Sequence, residues 1–239
     1  MDLYLDIETV PCQQPWARDE IRATLKPPGA LKKADSIATW WATEAEQAID
    51  AAWRKQSLDG GTFGEIVSIA LITDSTCPVT PEWVRCRAPG EPEADLIREA
   101  FAVVKGWQTE VCRELTPGSK PWLPATFPVA HNAQFDLGFL WRRARALRIR
   151  TPEWLPAPSQ AKHGQHYLCT MRTWCDYGQY ISLERLCLAL NIASPKTDMH
   201  GSQVFDAWLA GETNKIAAYN LNDTKAVQSV YDVLQGVHP

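Results

Sequence analysis

The sequence contains no run of about 18 apolar residues, so no membrane-spanning helix is expected. The N-terminus has no basic stretch leading into an apolar one. A secretory signal is therefore not expected, and the chain reads as cytoplasmic. Basic charge is not in excess: 24 Lys and Arg stand against 28 Asp and Glu, a formal net charge of −4. That argues against a broadly cationic duplex-binding module. It does not exclude an enzyme of nucleic acid, because carboxylates that hold metal ions also count as negative. There is no Cys-x-x-Cys pair. The 7 cysteines, at positions 12, 77, 86, 112, 169, 175 and 187, are odd in number, which points to free buried thiols rather than a zinc knuckle or a disulfide framework. Internal repeats and low-complexity tracts are absent as well.

The composition itself is that of a globular protein, 45% hydrophobic and 22% charged over 239 residues. This is enough for one α/β domain, taken as residues 1–239, with an insertion over about 11–61. The 11 tryptophans read mostly as anchors of the core or the insertion. Leu3–Ile7 reads as a buried strand. The polar segment Pro11–Gly61 is broken at Pro15 and Pro27-Pro28, with a helix expected over Asp35–Lys55. Glu65–Thr73 and Glu82–Arg87 alternate as a pair of antiparallel strands, followed by an amphipathic helix over Glu91–Glu114. Phe127–His131 is a short strand, a helix is expected to open at Asp136, and Tyr167–Met171 is extended. Helices are expected over Leu183–Leu190, Ser202–Leu209 and Thr213–Gln235. Strands first, then helices interleaved with further strands, predict a mixed central sheet flanked by helices.

Three segments carry candidate chemistry. In Leu5-Asp6-Ile7-Glu8-Thr9 the two carboxylates are two residues apart on a strand, so both face one side and Ile7 faces the other. Side-by-side carboxylates repel, and a divalent cation such as Mg²⁺ or Mn²⁺ relieves the repulsion; a solvent-facing acidic strand end fits the same spacing. In His131-Asn132-Ala133-Gln134-Phe135-Asp136 a strand runs into a helix start, where Asp136 fits either a helix cap or a ligand. In Tyr219-Asn220-Leu221-Asn222-Asp223 the tyrosine and the aspartate are four apart and share a helix face. Asp223 lies on the stripe of Ile216, Val227, Val230 and Leu234, so it needs a partner: a buried Arg or a metal.

Taken in order, these segments resemble the three motifs of the DEDD superfamily of 3′→5′ exonucleases, which have a ribonuclease-H-like fold. The Tyr-x-x-x-Asp spacing, with Ala218 where the other subgroup has histidine, resembles the tyrosine subgroup. Lys196–Asp206 and Ile216–Asp223 look most like stand-alone exonucleases related to the proofreading domain of family-B DNA polymerases. The resemblance implies metal-dependent hydrolysis from a 3′ end. Asp6, Glu8 and Asp223 would hold one ion. Asp6 would hold a second, with Asp136 acting through water. Tyr219 would orient the attacking water.

The expected substrate is single-stranded DNA. RNA trimming, structure-specific endonuclease action and an inactive nucleic-acid-binding module are the alternatives. A replication or repair partner would act in trans, and no membrane partner is expected. Candidate substrate contacts are Leu5, Ile7, Thr9, Asn132, Phe135, Arg142, Lys196 and His200. Arg142 opens a basic run with Arg143, Arg145, Arg148 and Arg150 that fits either phosphate binding or a solvated helix surface. Leu5 and Phe135 also fit core packing. Ser202 fits a helix cap, and His131 and His200 fit loop hydrogen bonding.

Overall fold

The structure, a computed structural model, describes residues 1–74, 82–115, 125–176, 178–195 and 199–237. Strand β1 (Asp2–Val10) organises it. Leu3, Leu5 and Ile7 are buried in the main core on one face of the sheet, while Tyr4, Asp6 and Glu8 alternate onto the other. Leu5 has no exposed surface and Ile7 almost none, so both are core residues rather than substrate contacts.

The insertion follows as α1 (Ala17–Thr24), α2 (Ala34–Thr43) and α3 (Ala45–Arg54), and ends in a tight 3₁₀ turn over Lys55–Leu58. The single helix expected over Asp35–Lys55 is thus two, broken at Glu44. The break has a packing reason. In one continuous helix Trp40 and Ile49 would lie about 180° apart, yet both are buried.

Two strands then extend the sheet antiparallel from β1: β2 (Glu65–Thr73), buried at every position, and β3 (Glu82–Cys86). Helix α4 (Glu93–Leu115) leads to β4 (Phe127–Ala130), which lies parallel to β1 on its other side. Helix α5 (Ala133–Ala146) is followed by β5 (Leu168–Cys169), parallel to β4. The extended piece expected over Tyr167–Met171 is shorter than its pattern suggests, because helix α6 (Thr170–Trp174) already begins at Thr170. The chain ends with α7 (Leu183–Ala189), a 3₁₀ turn over Gly201–Gln203, α8 (Val204–Leu209) and α9 (Thr213–Leu234). Ser202 lies inside that turn and caps no helix.

The strand order is β3-β2-β1-β4-β5. Helices α4 and α5 cover one face with Leu96, Ile97, Val104, Leu137 and Leu140. Helix α9 crosses the other, burying Ile216 beside Val10 and Val67 at one end and Val227 beside Tyr4 and Ile72 at the other. Covering both faces is what lets β2 be buried at every position. The fold is α/β, with a mixed five-stranded sheet flanked by helices. Among the described residues no helix is long and apolar enough to cross a membrane.

The insertion is docked along the body of the protein. The Trp53 indole donates to the Cys12 carbonyl at 2.8 Å, and its ring meets Phe205 of α8 edge-on at 5.2 Å. Arg54 pairs with Asp206 at 3.0 Å. At the insertion's end, both carboxylate oxygens of Asp59 accept backbone N–H groups from residues 61–64. Gly61, at φ +89°, presses onto α5 so closely that a Cβ would come within 2.9 Å of the Phe139 carbonyl oxygen.

Two buried ion pairs brace the far end of β2. Glu65 meets Arg87 at 2.6 Å, and Glu93 of α4 meets Arg143 of α5 at 2.6 Å while also accepting the Ile66 N–H. Burial pushes the Glu93 carboxyl up, and the Arg143 guanidinium pulls it back. Arg143→Met removes that cation and strands the carboxylate. It is expected to lower unfolding stability by about 3–5 kcal/mol, read from the urea midpoint at pH 7. An unchanged midpoint would show that the pair is dispensable.

Candidate active site

The arginines of the basic run, which fit either phosphate binding or a solvated helix surface, part in different directions. Arg143 turns inward to Glu93. Arg142 donates to the Gly60 carbonyl at 2.7 Å and so clamps the insertion to α5. Arg145 bonds Thr151 and lies over the Trp141 ring. Arg148 sits beyond the helix end at φ 57°. The exposed side chain of Arg142 still leaves its outer edge to solvent.

The carboxylates behave differently. Asp6 and Glu8 lie on β1, opposite Ala70 and Ser68 of β2. The pairing slips between Glu8 and Thr9, so β2 contributes one extra residue at Val67. Such a bulge re-aims side chains locally, and here Val67 and Val10 both join the cluster under Ile216. Helix α9 lies over this face and brings Asp223 down to the strand. One carboxylate oxygen from each of Asp6, Glu8 and Asp223 lies within 4.8 Å of the others.

Asp136 is buried in the first turn of α5, which opens three residues earlier than expected, at Ala133. It is therefore not the capping residue. Asn132 holds the cap position, where its carbonyl accepts the Phe135 and Asp136 N–H groups at 2.7 and 3.3 Å while its side chain makes no capping bond. Asp136 stands outside the close trio, yet near enough for its charge to raise both Asp6 and Glu8.

The electrostatics follow from burial without cations. Among the described residues no Lys or Arg pairs with any of the four. Burial pushes Asp6 and Glu8 well above the ordinary carboxylate range. Asp136 is the largest charge contribution at Asp6, and Asp223 at Glu8. Burial raises Asp136 to about 8 and Asp223 to about 6, the latter pulled back by a hydrogen bond from Tyr219. The Tyr219 phenol is itself raised, by burial first and then by Glu8 and Asp223. Among the described residues no thiol joins the donor set. Burial lifts Cys86 to about 12 and Cys187 to about 11, with Glu8 and Asp223 respectively adding to the effect.

Residues 128–235 match the model of a family described as a predicted 3′–5′ exonuclease related to the exonuclease domain of PolB. The matched segment holds Asp136, Tyr219 and Asp223, and it stops short of β1 with Asp6 and Glu8. The mixed sheet and its helical layers are consistent with the ribonuclease-H-like fold of such an exonuclease. A comparison with curated proteins gives no match.

The remaining expected contacts are placed as follows. Phe135 is half-buried, 5.4 Å from the Phe139 ring. The Thr9 hydroxyl donates to the Ser57 carbonyl at 2.6 Å, tying the insertion to the strand beside Glu8. His200 is exposed, its backbone N–H bonded to the Gln203 side chain. His131 is buried, its ring held between Thr170 and the Ile181 carbonyl, as a loop hydrogen-bonder would be. Lys196 lies outside the described residues.

Two polar side chains in the site escaped the sequence reading. Ser68 is fully buried opposite Glu8, and its hydroxyl has no partner. Asn220 is fully buried too; its amide N–H donates to Asp6 Oδ2 at 3.3 Å, and its Oδ1 has no partner. The signal for Asn220 lay in the helical spacing, since it is four residues after Ile216 and three before Asp223 on the buried stripe.

Proposed function

We propose that the protein is a divalent-metal-dependent 3′→5′ exonuclease of the tyrosine type, acting on single-stranded nucleic acid, DNA in the first instance. The observation that carries the reading is the convergence of Asp6, Glu8 and Asp223, each half-buried, beside buried Asp136, with no Lys or Arg partner among the described residues. An all-oxygen, carboxylate donor set suits Mg²⁺ or Mn²⁺ rather than softer metals. The unpartnered Ser68 hydroxyl and Asn220 side-chain Oδ1 leave polar valence that a hydrated cation would use.

Asp6, Glu8 and Asp223 would hold one ion, and Asp6 with Asp136 a second. Such ions supply positive charge to the attacking and leaving oxygens of an in-line displacement. The protein contributes placement. Strand β1 fixes Asp6 and Glu8 on one face, the first turn of α5 presents Asp136, and α9 presents Asp223. Tyr219 donates to Asp223 and, with its phenol held protonated by burial, orients groups in the site rather than serving as a base. Half-buried Phe135 and the Asn132 amide, in the segment that carries Asp136, would be among the side chains that meet a terminal nucleotide.

The test is a gel assay on matched DNA and RNA single strands, labelled at either end, with Mg²⁺, Mn²⁺ or chelator. Stepwise shortening of the 5′-labelled strand, early release of mononucleotide from the 3′-labelled one, and loss of both with chelator are expected. Internal cuts, or activity in chelator, would overturn the reading.

A further inference from the structure

Asp6 is ringed by like charge from Glu8, Asp136 and Asp223. Against these, among the described residues, stands one donated side-chain hydrogen bond, the 3.3 Å contact from the Asn220 amide to Oδ2. Asn220 is an unfavourable choice on packing grounds. It sits on a stripe of Ile216, Val227 and Val230, it has no exposed surface, and it leaves Oδ1 unpartnered. A leucine there would fill similar volume with no polar group to satisfy.

We infer that Asn220 is a positioning residue for metal binding, a neutral donor that holds the Asp6 carboxylate in its ligating orientation. The neutrality is the point. A Lys or Arg at this place would also hold Asp6, but would cancel the negative charge that draws a cation. An amide fixes one oxygen of the carboxylate, hinders its rotation and leaves the charge in place. Hydrogen-bond partners behind a ligand commonly set metal affinity in this way. The helix keeps the donor in register, since the Asn220 carbonyl takes the Thr224 hydroxyl at 2.9 Å on the same buried side of α9.

The inference rests on the metal-binding reading of the site, and its test keeps the two apart. Mn²⁺ binding is measured by titration calorimetry on the intact protein without nucleic acid, alongside the melting temperature of the metal-free form. The unaltered protein is expected to bind Mn²⁺. Asn220→Leu is expected to weaken that binding by about 10–100-fold while the metal-free protein melts no lower than the unaltered one. Asn220→Ala, which serves if the leucine variant does not fold, is expected to lose the same affinity with a lower melting temperature. Equal Mn²⁺ affinity in whichever variant folds overturns the inference and leaves Asn220 a packing residue. An unaltered protein that binds no Mn²⁺ overturns the site reading itself, and the inference with it.

Discussion

Asp6→Asn is expected to reduce metal-dependent cleavage by roughly 10³-fold or more, with the protein still folded. The size follows from what is removed. A metal site contributes several kcal/mol of charge stabilisation to the transition state, and each ~1.4 kcal/mol is tenfold in rate. Asp6 is the residue whose loss should cost most. It lies on the central strand, it belongs to the close oxygen trio, and it feels the charge of all three other carboxylates. Asparagine keeps the shape and a carbonyl oxygen but gives up the charge, so folding should survive where ligation does not. Asp206→Asn is the control: that carboxylate is exposed and paired with Arg54 across the insertion, and its loss should leave turnover near normal. Single-turnover cleavage of a labelled oligonucleotide reads both. Normal turnover in Asp6→Asn would remove this residue from the chemistry.

The second expectation concerns stability and pH. All four carboxylates are raised in the folded, metal-free protein, Asp223 to about 6 and Asp136 to about 8. In the unfolded chain they return to about 4. The folded state therefore holds more protons between these limits. Its stability from this source is complete below about pH 4 and is lost as pH rises through 6 and on to 8. The metal-free melting temperature should fall across that window by on the order of 5 °C or more. Added Mg²⁺ or Mn²⁺ should reverse the loss at pH 8 and do little at pH 5, where protons already occupy the site. Asp6→Asn should flatten the metal-free profile and shrink the metal response together. Melting curves at pH 5, 6.5 and 8, with metal and with chelator, read this directly. A metal-free protein equally stable at pH 5 and pH 8 would show that the four carboxylates do not hold their protons more tightly in the folded state.

Much of this arrangement was legible in the residues because period and chemistry coincided. Asp6 and Glu8 interrupt an apolar strand at a spacing of two, and Tyr219 and Asp223 interrupt an amphipathic helix at a spacing of four. Each spacing fixes a shared face without tertiary information. Leu5 and Ile7 fit two readings, as strand residues facing away from the carboxylates and as candidate substrate contacts; alternation alone points to the core face, where their side chains lie.

Other features were not legible, for identifiable reasons. The inward turn of Arg143 had a signal, as it shares a helical stripe with Leu140 and Leu147, but a run of arginines reads first as a surface; its partner Glu93 is 50 residues away. The docking of the insertion depends on Trp53 meeting Phe205 and Arg54 meeting Asp206, contacts between segments about 150 residues apart that no local period encodes. The break at Glu44 follows from where Trp40 and Ile49 find cover, and helix propensity does not report that. The opening of α5 at Ala133 was missed because an aspartate at a helix start reads first as its cap.

The hydrogen bond between Asn220 and Asp6 closes a loop of 214 residues. Half of the acidic set thus comes from the first strand and a quarter from the last helix, with the whole sheet built between them. No fragment ending short of residue 223 contains the complete constellation, and the segment 128–235 lacks two of its four acids. Cleavage competence should therefore appear as an all-or-none property of the assembled chain. Truncation from either side should abolish cleavage even where most of the segment 128–235 is kept.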